Sequence, residues 1–246
     1  MPCEHGVDLP MEEQVRISVE GTHAILDILK DHGVRATFFS TANFAQRAPE
    51  VIQRLIQEGH ELASHGFYHS SFEVADLKKS KEVLEAQTGQ TIRGYRMARM
   101  MPVSEVEVAK AGYTYNTSLN PTFIPGRYMH LGTPRTHFMQ DGVLQIPASV
   151  TPWVRFPLFW LSCHNLPFFL YRWLCHRTLR HDGYLVTYFH PWEFYELNEH
   201  PEFGLPFIVR NNSGRGMIKR LDRWIASFKS EGASFITYSE FADSIS

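Results

Sequence analysis

Short runs of β-favouring apolar residues alternate along this chain with amphipathic helices that stop at glycine, a pattern that points to an α/β fold on a parallel sheet. Over residues 13–32, Ile25, Leu26 and Leu29 recur at helical spacing, and Gly33 follows as a stop. Residues 36–41 (ATFFST) read as a buried strand. Val51, Ile52, Leu55 and Ile56 mark a second helix closed by Gly59, and residues 61–65 read as the next strand. Helices over 73–87, 103–111 and 215–229 and strands over 93–96, 113–116, 184–190 and 234–237 continue the alternation. With no internal repeat and no linker, the expectation is a single (β/α) barrel domain, complete or distorted, over residues 1–246.

A net charge of −2 and scattered basic residues supply no field for nucleic acid, so polynucleotide partners are not expected. Three cysteines, Cys3, Cys163 and Cys175, are too few for a disulfide framework and point to a reducing, cytoplasmic compartment. The stretch 153–174 is rich in large apolar residues but is broken by Pro157 and Pro167. It also carries Arg155 and Arg172, each costing roughly 2–3 kcal/mol in hydrocarbon. It is not expected to span a membrane; a loop and helix packed on the barrel is the first reading, and contact with a membrane surface the second.

Strand ends are where α/β proteins place chemistry. His65 and His69 stand four apart at the end of the strand over 61–65, and two imidazoles at that spacing reach one divalent ion if the loop curls by a turn. Surface or core histidines are the plainer alternative. His190 is the first polar residue after the apolar run 184–189, and Pro191 ends that strand, so a third histidine is expected at the same rim. Arg96 ends the strand over 93–96, where a guanidinium can orient a carboxylate bidentately or form a surface ion pair. Trp192, Tyr188 and Tyr68 are candidate rim aromatics for a sugar ring. No G-x-S-x-G elbow or P-loop is present.

Taken together, ATFFSTANFAQRAPEVIQRLIQEGHELASHGFYH, Gly94-Tyr95-Arg96, Gly112-Tyr113-Thr114-Tyr115 and His190-Pro191-Trp192-Glu193 resemble the polysaccharide deacetylases, carbohydrate esterase family 4, especially a branch whose late motif reads HPWE. The resemblance runs from about Val19 to the end of the chain. It implies a distorted (β/α) barrel and a metal-dependent hydrolase that removes N-acetyl groups from a sugar or polysaccharide. It also implies a divalent metal, most often zinc, held by His65, His69 and one acidic residue. By position, Arg96 matches the arginine that orients the catalytic carboxylate, and His190 the general acid that protonates the departing amine. A bound metal would lower the pKa of its water from about 15.7 toward 7 and polarise the acetamide carbonyl.

The family's first strand ends in an Asp-Asp, Asp-x-Asp or Asp-x-Glu motif that supplies the base and the third ligand. This chain begins Met1-Pro2-Cys3-Glu4-His5-Gly6-Val7-Asp8 without such a strand, so the expectation is a truncated amino end. Loss of a general base costs roughly 100- to 10,000-fold in rate. Glu4, Asp8 and Glu193 are the acids considered as substitutes. Ala98 stands where the family usually has proline, and Asn116 where it often has aspartate. A non-catalytic barrel that binds carbohydrate or scaffolds a partner is the alternative function.

Three further patterns compete. Cys163-His164 and Cys175-His176 lack the C-x2-C spacing of a zinc knuckle and read as buried thiols. Asn116-Thr117-Ser118 and Asn211-Asn212-Ser213 match the glycosylation sequon. Ser213-Gly214-Arg215-Gly216 precedes a long helix and suggests an ordinary N-cap in preference to an anion cradle.

Overall fold

The computed structural model describes Val7 and residues 9–124 and 128–245. In chain order the elements are α1 (Met11–His32), β1 (Thr37–Ser40), α2 (Ala42–Arg47), α3 (Pro49–Gln57), β2 (Glu61–Ser64), α4 (Ala75–Thr88), β3 (Gly94–Tyr95), α5 (Glu105–Lys110) and β4 (Tyr115–Asn116). They continue with β5 (Phe123–Ile124), β6 (Tyr128–Met129), β7 (Phe138–Gln140), β8 (Val143–Gln145), α6 (Trp160–Asn165), α7 (Phe168–Asp182), α8 (Phe207–Arg210), α9 (Arg215–Ser230) and α10 (Tyr238–Ser244). The chain divides into two compact units, one of Val34–Ala148 with the segment from Phe235 onward, the other of the chain up to Gly33 with Ser149–Ser234.

The first unit holds the sheet, in the order β1-β2-β3-β4-β8-β7. Its pairs are parallel from β1 through β4 to β8, and β7 returns antiparallel as a hairpin. Parallel pairing needs crossovers; α2, α3, α4 and α5 supply them from β1 to β4, and the connection from β4 to β8 carries the strands β5, β6 and β7. The α/β class expected from the alternation is therefore what the chain adopts. Leu62, Ala63, Tyr95 and Tyr115 are buried, as strands covered on both faces require. Gly94 is the close approach that makes this possible, since a Cβ there would lie 1.9 Å from the Tyr115 ring.

In the second unit α1 packs on α9 and on the turn Pro191–Phe194. Gly21 is the contact point: a Cβ on it would meet the Pro191 carbonyl oxygen at 1.8 Å. Leu26 and Leu29 of α1 and Leu221, Ile225 and Phe228 of α9 are buried.

Two expected strands are not strands. Over 184–190 the Ser149 N–H donates to the Val186 carbonyl (2.9 Å), but the Val186 N–H turns to the Ser149 hydroxyl (2.8 Å), so a side chain takes the bond that would extend a ladder. Over 234–237 the Thr237 N–H donates to the Glu240 carboxylate (2.8 Å) and the Tyr238 N–H to the Thr37 hydroxyl (2.9 Å), so the segment ends as the capping box of α10. The stretch 153–174 is a tight turn followed by α6 and the start of α7. No helix among the described residues is long and apolar enough to cross a membrane.

Candidate functional site

β2 ends at Ser64, and the loop that follows is curled by Gly66, whose φ of 83° lies in the left-handed region that glycine occupies without strain. The curl is pinned at the start of α2, where the Ala42 N–H donates to the Gly66 carbonyl (3.0 Å) and the Asn43 N–H to the Phe67 carbonyl (3.1 Å). Phe67 is buried beneath the Lys79 ammonium, 4.3 Å from its ring centre. This brings the His65 and His69 rings to a centroid separation of 5.4 Å. His65 Nδ1 bonds the Arg96 carbonyl at 2.7 Å, and a carbonyl can only accept. Nδ1 therefore carries a proton, which is how a metal-ligating histidine is usually oriented by its surroundings. The pair fits the imidazole half of a divalent metal site. Among the described residues no third histidine, cysteine, aspartate or glutamate joins it. Cys3, Glu4 and Asp8 lie outside the described residues.

Arg96 is buried at the end of β3, its Nη1 donating to the Thr117 carbonyl at 3.0 Å. The next N–H, of Met97, donates to the Ser118 hydroxyl (2.7 Å), so the ends of β3 and β4 are tied together. Arg99 and Met100 follow at φ of 56° and 54°, two consecutive non-glycine residues in the left-handed region. Asn116, which stands where the family often has aspartate, faces the interior. It is fully buried and donates through Nδ2 to both Glu105 oxygens (2.9 and 3.0 Å), while Gln145 Nε2 adds a bond of 2.7 Å. Burial pushes the Glu105 carboxyl above the ordinary range, and the two amide donors oppose that rise. Tyr68 is half exposed, edge-on to Phe67 at 4.7 Å.

His190, Trp192 and Tyr188 lie in the second unit, together with a partner the sequence reading assigned differently. Glu193 is completely buried. Its Oε1 accepts from the His190 backbone N–H (2.6 Å) and from His190 Nδ1 (2.8 Å), and its Oε2 meets His164 Nε2 at 3.1 Å. Both oxygens are thus engaged, so Glu193 is no substitute base or ligand; it orients His190. His164 Nδ1 must donate to the Asn211 carbonyl (2.6 Å), so a single further proton is shared between His164 Nε2 and Glu193. The Trp192 ring stacks on His190 at 5.4 Å and 19°, while Trp160 and Tyr188 meet it edge-on at 5.5 and 5.8 Å. The His190…Glu193 spacing, with the acid three residues after the N-cap position, is a capping-box signal legible in the sequence. His164 entered the sequence reading only beside Cys163, and nothing in the sequence marked Trp160.

A family model described as polysaccharide deacetylase matches residues 13–115. Residues 13–115 belong to the polysaccharide deacetylase family. This deacetylase stretch carries His65, His69 and Arg96. A chitooligosaccharide deacetylase of Sinorhizobium fredii is 34% identical over 93 residues, which are 37% of this chain and 40% of that protein. The matches span about a quarter to two fifths of the length of the curated relatives. Among solved structures, a Mycobacterium smegmatis protein described as a polysaccharide deacetylase superposes at a TM-score of 0.66 and 20% identity, over 95% of this chain and 79% of that one. A CE4 family pseudoenzyme from Bacillus anthracis superposes at 0.54 and 14% identity, over 91% of this chain and 60% of that one. These two likenesses establish the deacetylase fold.

Among the described residues the competing patterns form no cluster of three metal-ligating side chains. Cys163 and Cys175 are buried, and burial pushes both thiols up, Cys175 to about 12, so they are inert. His176 stacks on Phe228 at 3.9 Å and bonds the Ser227 hydroxyl at 3.0 Å. The sequon at Asn116 is buried beyond reach of modification. Asn211 is bonded to Asn165 Oδ1 (3.2 Å). The start of α9 has no N-cap side chain at Gly214; instead Glu196 reaches across and accepts from the Arg215 N–H at 2.9 Å, so a carboxylate of this chain occupies the place of an anion.

Proposed function

We propose that the chain is a metal-dependent hydrolase that removes N-acetyl groups from a sugar or polysaccharide, breaking a non-peptide C–N bond. The observation that carries the reading is the His65–His69 pair, with the Nδ1 proton of His65 fixed on the Arg96 carbonyl. In this reading His65 and His69 hold a divalent ion, most simply zinc, which when bound supplies Lewis acidity and an acidified water. His190 holds a proton at Nδ1 toward Glu193 and gives and takes one at Nε2, the role of the acid that protonates the leaving amine. The Trp192 ring fixes the plane of that imidazole. Arg96, held by Thr117, orients the catalytic carboxylate, and Trp192, Tyr188 and Tyr68 are sugar-contact candidates. The cysteine usage supports a reducing, cytoplasmic location for this reading.

A non-catalytic carbohydrate-binding barrel is the second reading, supported by the fold likeness to a CE4 family pseudoenzyme. Acetate release from an N-acetylated chitooligosaccharide separates them. The chain is stripped with a chelator and reloaded with zinc, next to a His65→Ala, His69→Ala double variant. Acetate that appears only with zinc and only in the parent supports the hydrolase. Oligosaccharide binding without acetate, in both proteins, favours the binding barrel.

A further inference from the structure

The described unit of α1, α6, α7 and α9 carries an exposed ridge with no part in the chemistry above. Phe169, Trp173, Arg177 and His181 follow one another along α7 at four-residue steps, which stacks them on one side of the helix over about 18 Å. Phe169 and Trp173 are 71% and 53% exposed. The Arg177 guanidinium lies 5.5 Å above the Trp173 ring, and Trp153 continues the ridge by packing edge-on to His181 at 6.3 Å. Trp153 and Val154 project at 80% and 81% exposure from a built turn. Thr151 closes that turn through its backbone N–H to Phe156 (2.9 Å) and through its hydroxyl, which accepts from the Phe156 N–H (2.9 Å), with Arg155 at a φ of 50°. A turn so closed presents its two apolar side chains outward in a fixed position.

Arginines outnumber carboxylates around the ridge, Arg172, Arg177 and Arg180 against Glu231 and Asp182. Its carboxylates are engaged, Glu231 with His176 and Arg180 (3.0 and 3.3 Å) and Asp182 with His181 (2.8 Å). Arg172 and Arg177 form no ion pair among the described residues. The ridge borders a groove of about 560 Å³ between α7 and α9, lined by Phe169 and Trp173, by Arg172, Arg177 and Arg180, and by Glu231, whose charge is engaged by His176 and Arg180; three guanidiniums against one paired carboxylate leave it net positive, as a phosphate headgroup requires. Tryptophan, phenylalanine and valine side chains flanked by arginines are the composition of a surface that lies in a bilayer interface, where the indole N–H stays at the wet edge. Val154 and Phe169 weigh against a polysaccharide surface, which asks for hydrogen-bonding groups around flat rings.

We propose that the ridge formed by the Trp153–Val154 turn and the exposed side of α7 docks this protein on an anionic phospholipid membrane, the aromatic residues entering the interface and Arg172 and Arg177 meeting lipid phosphates. The attraction falls off within a Debye length and is weakened by salt.

The test is co-sedimentation of the full chain with vesicles of phosphatidylcholine alone and of phosphatidylcholine mixed with phosphatidylglycerol, at low and high salt. The expected result is sedimentation with the anionic vesicles at low salt and loss of it at high salt. Trp173→Ser with Phe169→Ser is expected to weaken partitioning about tenfold or more, and Arg172→Glu with Arg177→Glu to remove the preference for phosphatidylglycerol. These side chains are exposed, and circular dichroism of each variant confirms an unchanged fold. The proposal is overturned if the parent ignores anionic vesicles at low salt, or if the variants bind them as the parent does. It is overturned equally if soluble alginate, an acidic polysaccharide, binds the parent through these residues while vesicles do not.

Discussion

Replacing Glu193 separates its two roles, holding a buried network and orienting His190. Glu193→Ala removes the acceptor of the part-buried His190 N–H and the partner of the fully buried His164 Nε2. Each orphaned buried group costs about 1–3 kcal/mol, and breaking one side of a buried charged pair about 3–5 kcal/mol in all. For a chain of this size that is roughly a 10 °C drop in Tm. Glu193→Gln has nearly the same shape and re-satisfies every member. Its carbonyl accepts from the His190 N–H and Nδ1–H, and its amide donates to His164 Nε2, which becomes an acceptor once the shared proton is gone. It should lie within about 1 kcal/mol of the parent in urea denaturation. On acetylated chitooligosaccharide it should still lose kcat, because a neutral amide holds the His190 proton less firmly than a carboxylate. The reasoning fails if Glu193→Ala melts with the parent, or if Glu193→Gln is as unstable as Glu193→Ala.

Gly21→Ala would gain about 1 kcal/mol in an exposed helix; here its Cβ meets a backbone carbonyl at 1.8 Å, and urea denaturation should show a net loss of at least about 2 kcal/mol. His60 is buried, with its Nδ1 accepting from the Ala36 N–H (3.2 Å), and burial holds its imidazole below the ordinary 6.5. As pH falls below 6.5 the unfolded chain takes up the proton first, so stability should drop between 6.5 and the lower folded value. Thermal melts from pH 8 to 5 should show that slope. His60→Asn, which keeps an acceptor near Nδ1, should flatten it.

The parallel sheet and the long helices were legible because their signals are local: α1 has its apolar spacing and its Gly33 stop, and β1 and β2 are short buried runs between helices. The strands expected over 184–190 and 234–237 failed because a strand is defined by its neighbour, and hydroxyls or a carboxylate took the backbone donors there. α2, six residues long and capped by the Thr41 hydroxyl, is too short for periodicity to declare. At the candidate site, the H-x3-H spacing forecast the meeting of His65 and His69. Glu193 was weighed as an acid and missed as an orienter, although its spacing from His190 carried the signal. His164 lies 29 residues from Glu193, and no local pattern links positions so distant.

The unit that carries His190 is assembled from two stretches of chain with the whole parallel sheet encoded between them. Contacts of α1 with its partners span 190 residues, as between His32 and Asp222. On the ribosome, α1 emerges with a buried-type face long before α9 and the Pro191–Phe194 turn exist to cover it. Closing so long a loop is slow, and an amphipathic helix kept waiting is exposed to aggregation. Expression of this chain should therefore depend on chaperones and on translation speed more than its finished stability suggests, with the early helix as the segment they protect.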